Sequence, residues 1–555
     1  MPHRPGHVSL RGQIGHLRDK LEDVAISVYT TYNSRHRHDE AHEQELDAKL
    51  EAIRDQHRFR SFAPVRSGNV VKFHIDGKDY FWAMSEAIDS AKESIFIMDW
   101  WLSPELYLRR PPAEHEEWRL DRLLHRKAEQ GVKIYVCVYK EVSASMTLNS
   151  RYTKHALEDL HDNIVVMRHP QHATGELIYY WSHHEKLCLI DNKLACMGGL
   201  DACYGRWDTH NHPLADVHPT EFKKTLFPGQ DYNNSRMMDF QTVDKFTSNA
   251  LAIQDAARMP WHDVSLTMMG PSVFDLSVSF AERWNFIKEF KYRHNPHYEY
   301  LALPAPFGTV SAEERRNEAD RHSQRAIEHP RLELYAEKGR QFFHPFHHPP
   351  SQLPRADETV PTGSCRVQVL RSAADWSHGI LTEDSIQQAY IQLIQNQFFI
   401  TSTARERPVA NQIGAALVER IISAARDGRE FRVIIVIPAV PAFAGDIQGA
   451  AGIKAIMEAQ YRSINRGGES IMEMSGVLFH EAQVAMARIW IGKDGDGHHN
   501  ETVTLERPKD ETGDPNQSGE KQKVKEGVPM PNTVKEAVEI VRRFQAGADI
   551  SDANV

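Results

Sequence analysis

Short runs in which every side chain is apolar recur through the first half of this chain: Ile95-Phe96-Ile97-Met98, Ile134-Tyr135-Val136-Cys137-Val138, Ile164-Val165-Val166-Met167 and Leu187-Cys188-Leu189-Ile190. Runs of this length are too short for buried helices and read as strands. A further strand signal, Val70-Val71-Lys72-Phe73-His74-Ile75, precedes them. Helical patterns fall between, one through Ala83 to Ala91 and another closing near Gly131. Strands alternating with helices specify an α/β architecture.

With 555 residues, 41% hydrophobic and 26% charged, the chain can bury more than one core. Residues 1–60 are expected to form a helical appendage, with Leu17, Leu21, Val24, Ala25 and Val28 at helical spacing. Residues 61–300 make a first lobe, and the Pro-, His- and charge-rich stretch 301–364 a linker or long loop. A partial second lobe follows over 365–492. In it, Gln397 to Thr401 and Val433 to Ile437 repeat the strand pattern of Ile95 to Met98 and Ile134 to Val138. Residues 493–555 read as a largely disordered tail with one short amphipathic helix, Val534 to Phe544.

The formal net charge of -10 argues against a general nucleic-acid coat. Five cysteines without Cys-x-x-Cys spacing suit reduced thiols in a cytosolic protein. The N-terminus lacks the apolar core of a signal peptide, and no run of about 18 apolar residues occurs, so any membrane contact is expected to be peripheral.

The chemistry concentrates at His184-Glu185-Lys186. Alternate side chains of a strand share a face, so this imidazole and ammonium point to one place, which suits a phosphate. Downstream stands Met197-Gly198-Gly199-Leu200-Asp201, whose paired glycines allow a backbone to approach a ligand closely. Asp191 completes a His-x-Lys-x-x-x-x-Asp pattern, but its odd offset from His184 sends it to the opposite strand face. That full pattern occurs once. The clusters Arg35 to His38 and His344 to His348 lack metal-ligand spacing, and no metal or cofactor is expected. Trp100-Trp101 reads as core packing, and Leu106 to Arg110 and Lys288 to Arg293 as surface clusters that could meet anionic lipid.

These residues resemble the phospholipase D family, particularly its fungal and other eukaryotic members. His184, Lys186 and Asp191 fit the first of that family's two HKD motifs. Gly205-Arg206-Trp207-Asp208, Phe227-Pro228-Gly229-Gln230-Asp231-Tyr232, Arg283-Trp284-Asn285-Phe286, Arg371-Ser372 and Trp376-Ser377-His378-Gly379 agree in order, as does Asn396-Gln397-Phe398-Phe399. The resemblance implies a lobe built on a mixed sheet flanked by helices, with an incomplete second lobe of the same kind. It implies hydrolysis of phosphatidylcholine to phosphatidate and choline at a cytoplasmic membrane face through a phosphohistidine, with an anionic lipid as a candidate activator. His184 would be the nucleophile or its acid/base partner and Lys186 the phosphate ligand, with Asp201 and Asp208 orienting the imidazole and Gly198 and Gly199 in support. The family's second HKD motif is missing and the second lobe shortened, which reads as a truncated, impaired member. The alternatives are a single-motif phosphodiesterase that completes its site as a homodimer, and a lipid-binding pseudoenzyme.

Overall fold

The computed structural model describes residues 38–141, 148–170, 182–216, 223–232, 243–247, 257–302, 364–393 and 411–429, with short pieces between 431 and 504. Two compact units emerge. The first runs to Gln388 and takes in Ala444–Asp446; the second comprises Ala389–Phe443 and Ile447–Val555.

The first unit begins with α1 (Ala41–Gln56), β1 (Arg66–Ile75), α2 (Asp76–Ser90) and β2 (Ser94–Asp99). It continues through α3 (Leu120–Glu129), β3 (Lys133–Tyr139), α4 (Ser150–Glu158), β4 (Ile164–His169), β5 (Leu187–Ile190), β6 (Leu194–Gly198), β7 (Val264–Met269), α5 (Ser272–Lys291) and β8 (Cys365–Val367). The eight strands make one mixed sheet in the order β4-β3-β2-β5-β6-β7-β1-β8. β2, β3 and β4 are parallel, as helical crossovers require, and the remaining neighbours are antiparallel.

The all-apolar runs have the reason expected of them: both faces of the central strands are covered. Ile95, Ile97, Ile134, Val136, Ile164 and Val166 face a core shared with Phe81 of α2, Leu124 of α3 and Leu157 of α4. Phe96, Met98, Tyr135, Cys137, Val165 and Met167 face the other core, against Phe280 and Trp284 of α5. Seventeen of the twenty residues of α5 are buried, so it is a core helix rather than an amphipathic surface one. The parallel-stacked rings of Phe96 and Phe280, 4.9 Å between centroids, tie it to the sheet.

Three boundaries differ from the sequence reading. Residues 365–388 belong with the first unit, not with a second lobe: β8 adds to the edge strand β1, and Arg371 is buried between Glu282 of α5 (2.7 Å) and Glu383 (2.8 Å). α1 is no free appendage, because the buried Arg54 guanidinium donates to the Thr382 carbonyl at 2.9 Å. In the stretch read as disordered tail, Glu501–Thr504 pairs antiparallel with Arg488–Ile491. The repeat strand Gln397 to Thr401, residues 434–437, Val534 to Phe544 and the helical pattern from Leu17 to Val28 lie outside the described residues. The second unit has its own small core around Ile413, Leu417, Val418, Ile422 and Ile471.

Four of the cysteines, Cys137, Cys188, Cys196 and Cys203, are buried free thiols; Cys365 is exposed. Among the described residues no helix is long and apolar enough to cross a membrane. Replacing Arg371 by alanine strands two carboxylates in the interior. The expected loss is about 3–5 kcal/mol, read as a lower urea midpoint for the first unit.

Candidate active site

The extended segment leading into β5 keeps the alternation of a strand although the ladder with β2 ends at Met98 and Leu187. His183 and Glu185 turn toward α5, where Arg283 lies 2.9 Å from the Glu185 carboxylate. His184 and Lys186 turn the other way and share one neighbour, Trp100. The His184 ring centroid lies 5.4 Å from that indole, and the Lys186 ammonium stands 5.8 Å over it. The Trp100-Trp101 pair is buried, and Trp100 forms the floor between the two groups. His184 itself is exposed.

Lys186 is buried and its Nζ lies 2.8 Å from Asp201 Oδ1. The same oxygen accepts the backbone N–H groups of Trp100 and Trp101, each at 3.2 Å. Asp99, at the end of β2, lies beside Asp201 and accepts the Ala202 N–H at 2.7 Å. Two buried carboxyls in contact cannot both ionise. Burial, and then the Asp201 charge, push Asp99 well above the carboxylate range, so it keeps its proton and donates to Asp201. Burial opposes ionisation of Asp201 as well, but Lys186 and that hydrogen bond outweigh it and hold Asp201 below its ordinary value. The trio therefore carries no net charge: one ammonium, one carboxylate, one neutral acid.

Burial and then the Lys186 charge lower the His184 imidazole to about 4, against a weaker opposing pull from Asp201. The ring keeps an open side to water, so the downward direction carries the argument: His184 is neutral at pH 7 and offers a lone pair. Arg206 supplies positive charge on the same side, its field acting on both His184 and Asp201. Arg206 is 3% exposed, and its guanidinium sits 3.9 Å over the Trp261 ring. Its Nε and Nη1 have no hydrogen-bond partner among the described residues. A neutral imidazole beside an ammonium and a buried, unsatisfied guanidinium is a receptor for a phosphoryl group with a nucleophile at its mouth.

A sequence model of the phospholipase D family matches residues 87–303, which span β2 to the loop after α5 and include every residue just described. Phospholipase D1 of Saccharomyces cerevisiae is 39% identical over 426 residues, covering 74% of this chain and 23% of its own length. Phospholipase D zeta 2 of Arabidopsis thaliana is 36% identical over 76% of this chain and 45% of its own, and phospholipase D2 of Bos taurus 36% over 78% and 44%. The chain belongs to the phospholipase D family. It spans under half the length of these relatives. Among solved structures, a phospholipase D family member, Nuc from Salmonella typhimurium, aligns with 39% of this chain and 95% of its own at 11% identity and a TM-score of 0.22, too slight a likeness to carry an argument.

Within this phospholipase D lobe the sequence-nominated residues separate. His184, Lys186 and Asp201 come together. Asp191 stands at the opposite end of β5, in the turn before β6, where its carboxylate accepts the backbone N–H groups of Lys92, Glu93 and Ser94 at 2.8–2.9 Å. Its place is that of a clamp on the start of β2, not of a group beside the imidazole. Asp208 does not reach His184 either: it is buried against Arg258 Nη2 at 2.9 Å and the Trp261 N–H at 2.9 Å. Through that second bond it fixes the loop bearing the indole on which Arg206 lies.

The glycine pair serves strand packing. A Cβ on Gly198 would stand 2.2 Å from Ser265 Oγ and 2.5 Å from its Cα, and one on Gly199 2.1 Å from Asp263 Oδ1, so both face β7 or its approach rather than a ligand. The two basic clusters read as lipid contacts are partly closed: Arg110 Nη2 lies 2.9 Å from Asp231 in the interior, and Lys288 Nζ donates to the Tyr292 carbonyl at 2.6 Å. The sequence reading passed over a second His-x-Lys, His125-Arg126-Lys127, which sits on α3, where residues two apart diverge. Lys127 there is buried and bonded to the Asp89 carbonyl, so it adds nothing to the site.

Two members escaped the sequence reading. Asp99 had a signal, since it is the one acid at the end of an otherwise apolar strand. Arg206 lay inside a quoted segment without a role. Replacing Gly198 by alanine is expected to cost about 1–3 kcal/mol, because the β6–β7 pair must separate; the urea midpoint reads it.

Proposed function

We propose that this chain is a phospholipase D-type phosphodiesterase acting on phosphatidylcholine, with His184 as nucleophile. A neutral, desolvated imidazole open to solvent on one side, with Lys186 and Arg206 beside it, is the observation that supports this reading. The unprotonated ring nitrogen attacks phosphorus and the bond to the choline oxygen breaks. The leaving alkoxide takes a proton from an acid, giving free choline and a phosphatidyl-histidine. Water then attacks the same phosphorus, the P–N bond breaks, and phosphatidate leaves with His184 restored. Lys186 and Arg206 stabilise the charge that gathers on the phosphoryl oxygens.

One His–Lys pair gives the nucleophile and much of this charge. The acid that protonates the leaving group has no evident source among the described residues near His184, since Asp99 is committed to Asp201. We therefore expect the 555-residue chain to turn over weakly unless a second His–Lys pair joins it. The substrate lies in a lipid surface, so the protein is taken to work as a peripheral partner of a cytoplasmic membrane face.

The test is transphosphatidylation of labelled phosphatidylcholine vesicles in dilute ethanol. Phosphatidylethanol is expected from the wild type, with at least a ~10³-fold lower yield from His184→Ala. Equal yields from the two would remove His184 from the chemistry. Binding to vesicles without product from either would leave a pseudoenzyme. Activity rising with the square of protein concentration would show a site shared between two chains.

The pH dependence follows from the environment of the imidazole. Desolvation and Lys186 both favour its neutral form, so protonation that disables the nucleophile is displaced to the acid side of 6.5. The acid limb of kcat/KM is expected below that value, and a limb centred above it contradicts the assignment.

A further inference from the structure

On the far side of the Arg206 segment, side chains from three separate stretches converge on one buried carboxylate. Asp76, the first residue of α2, is 1% exposed. Its Oδ1 lies 2.7 Å from His262 Nδ1, and its Oδ2 3.1 Å from His212 Nε2 and 3.3 Å from His210 Nδ1. We propose that Asp76, His212 and His262 form a divalent transition-metal site, of the kind that takes zinc, which ties the start of α2 to the two loops bearing Arg206 and Trp261.

Geometry supports this first. One donor atom from each of the three residues lies within 4.8 Å of the others. Bonds of about 2.0–2.1 Å put tetrahedral ligands about 3.3 Å apart, so side-chain rotations of modest size close the site. The His212 and His262 rings stand edge to face, 5.1 Å between centroids, with one nitrogen of each against the same carboxylate. Among the described residues the buried His212 Nε2 has no other partner than this carboxylate, 3.1 Å away.

Donor chemistry points the same way. Each ion-pair partner of Asp76 among the described residues is a histidine, a side chain that offers a ring nitrogen to a metal. Two imidazoles with one carboxylate select zinc, copper or nickel over magnesium or calcium. His262 and His210 are 70% and 55% exposed at their side chains, which leaves an open path and a fourth position for water or for His210. Asp79, 3.2 Å from His210 Nε2, is placed to orient that ring.

The site stands directly behind the phosphoryl receptor. The Asp76 N–H donates to the Asp263 carbonyl and the Lys78 N–H to the Asp208 carbonyl, both at 2.8 Å. Gly77 is so close that an added Cβ would lie 2.6 Å from the Arg206 carbonyl. A metal here would fix the backbone from which Arg206 projects, acting as a positioning element and taking no part in bond making.

The experiment uses the full chain without a histidine tag, stripped with EDTA and equilibrated with Zn²⁺ or Co²⁺. Because the chain has 31 histidines, the reading is the difference between proteins. The wild type is expected to hold one more metal ion than His262→Ala or Asp76→Asn, to show cobalt ligand-field bands that both variants lose, and to melt at a higher temperature with zinc than without. His262 is exposed, so its variant keeps the fold, which circular dichroism verifies. Equal metal content and equal cobalt spectra in wild type and His262→Ala would overturn the proposal, whatever the transphosphatidylation assay gives.

Discussion

The carboxylate of Asp201 holds the site together. It lies where three pieces of chain meet: the Asp99-Trp100-Trp101 stretch at the end of β2, the segment that carries Lys186 into β5, and its own stretch after β6. A buried charge without partners is among the costliest things a protein can contain. Here the carboxylate accepts two backbone N–H groups and the Asp99 proton, and the opposite charge is 2.8 Å away. The cost turns into rigidity, because none of the three pieces can move without exposing that charge.

Electrostatic consequences follow from how the proton is shared. Since Asp99 stays neutral, Lys186 is matched one for one by Asp201, yet at His184 the ammonium is the stronger influence of the two. Arg206 is then the positive group left unsatisfied, and an arriving phosphodiester restores the balance. The lowered imidazole is produced by the same arrangement, through burial first and the nearby ammonium second. A nucleophile and its anion receptor thus arise from one packed corner.

Some of this was legible in the residues. The four apolar runs were strands because a sheet covered on both faces has no use for polar positions, and each run lies inside the strand observed. His184 and Lys186 share a side because alternation persists through extended backbone even where the ladder stops. The roles of Gly198, Gly199 and Asp208 were not legible. A glycine pair after a strand fits either a ligand or a neighbouring strand, and only the register of β6 on β7 shows Ser265 facing the missing Cβ. Likewise, nothing in the order Gly205-Arg206-Trp207-Asp208 announces Arg258 as the partner of Asp208.

Local periodicity, then, determined the elements, the α/β class and the side on which the imidazole and ammonium stand, because each depends on residues two to four apart. Tertiary structure decided which charges meet. Asp99 is more than a hundred positions from Asp201, and Asp76 stands 136 and 186 positions before His212 and His262. Proton sharing in the first cluster and the ligand set of the second depend on distances of a few ångströms that no local pattern encodes. The placement of residues 365–388 on the first unit has the same cause: Arg371 is buried where Glu282 and Glu383 face it, a choice made by packing and not by the neighbouring sequence.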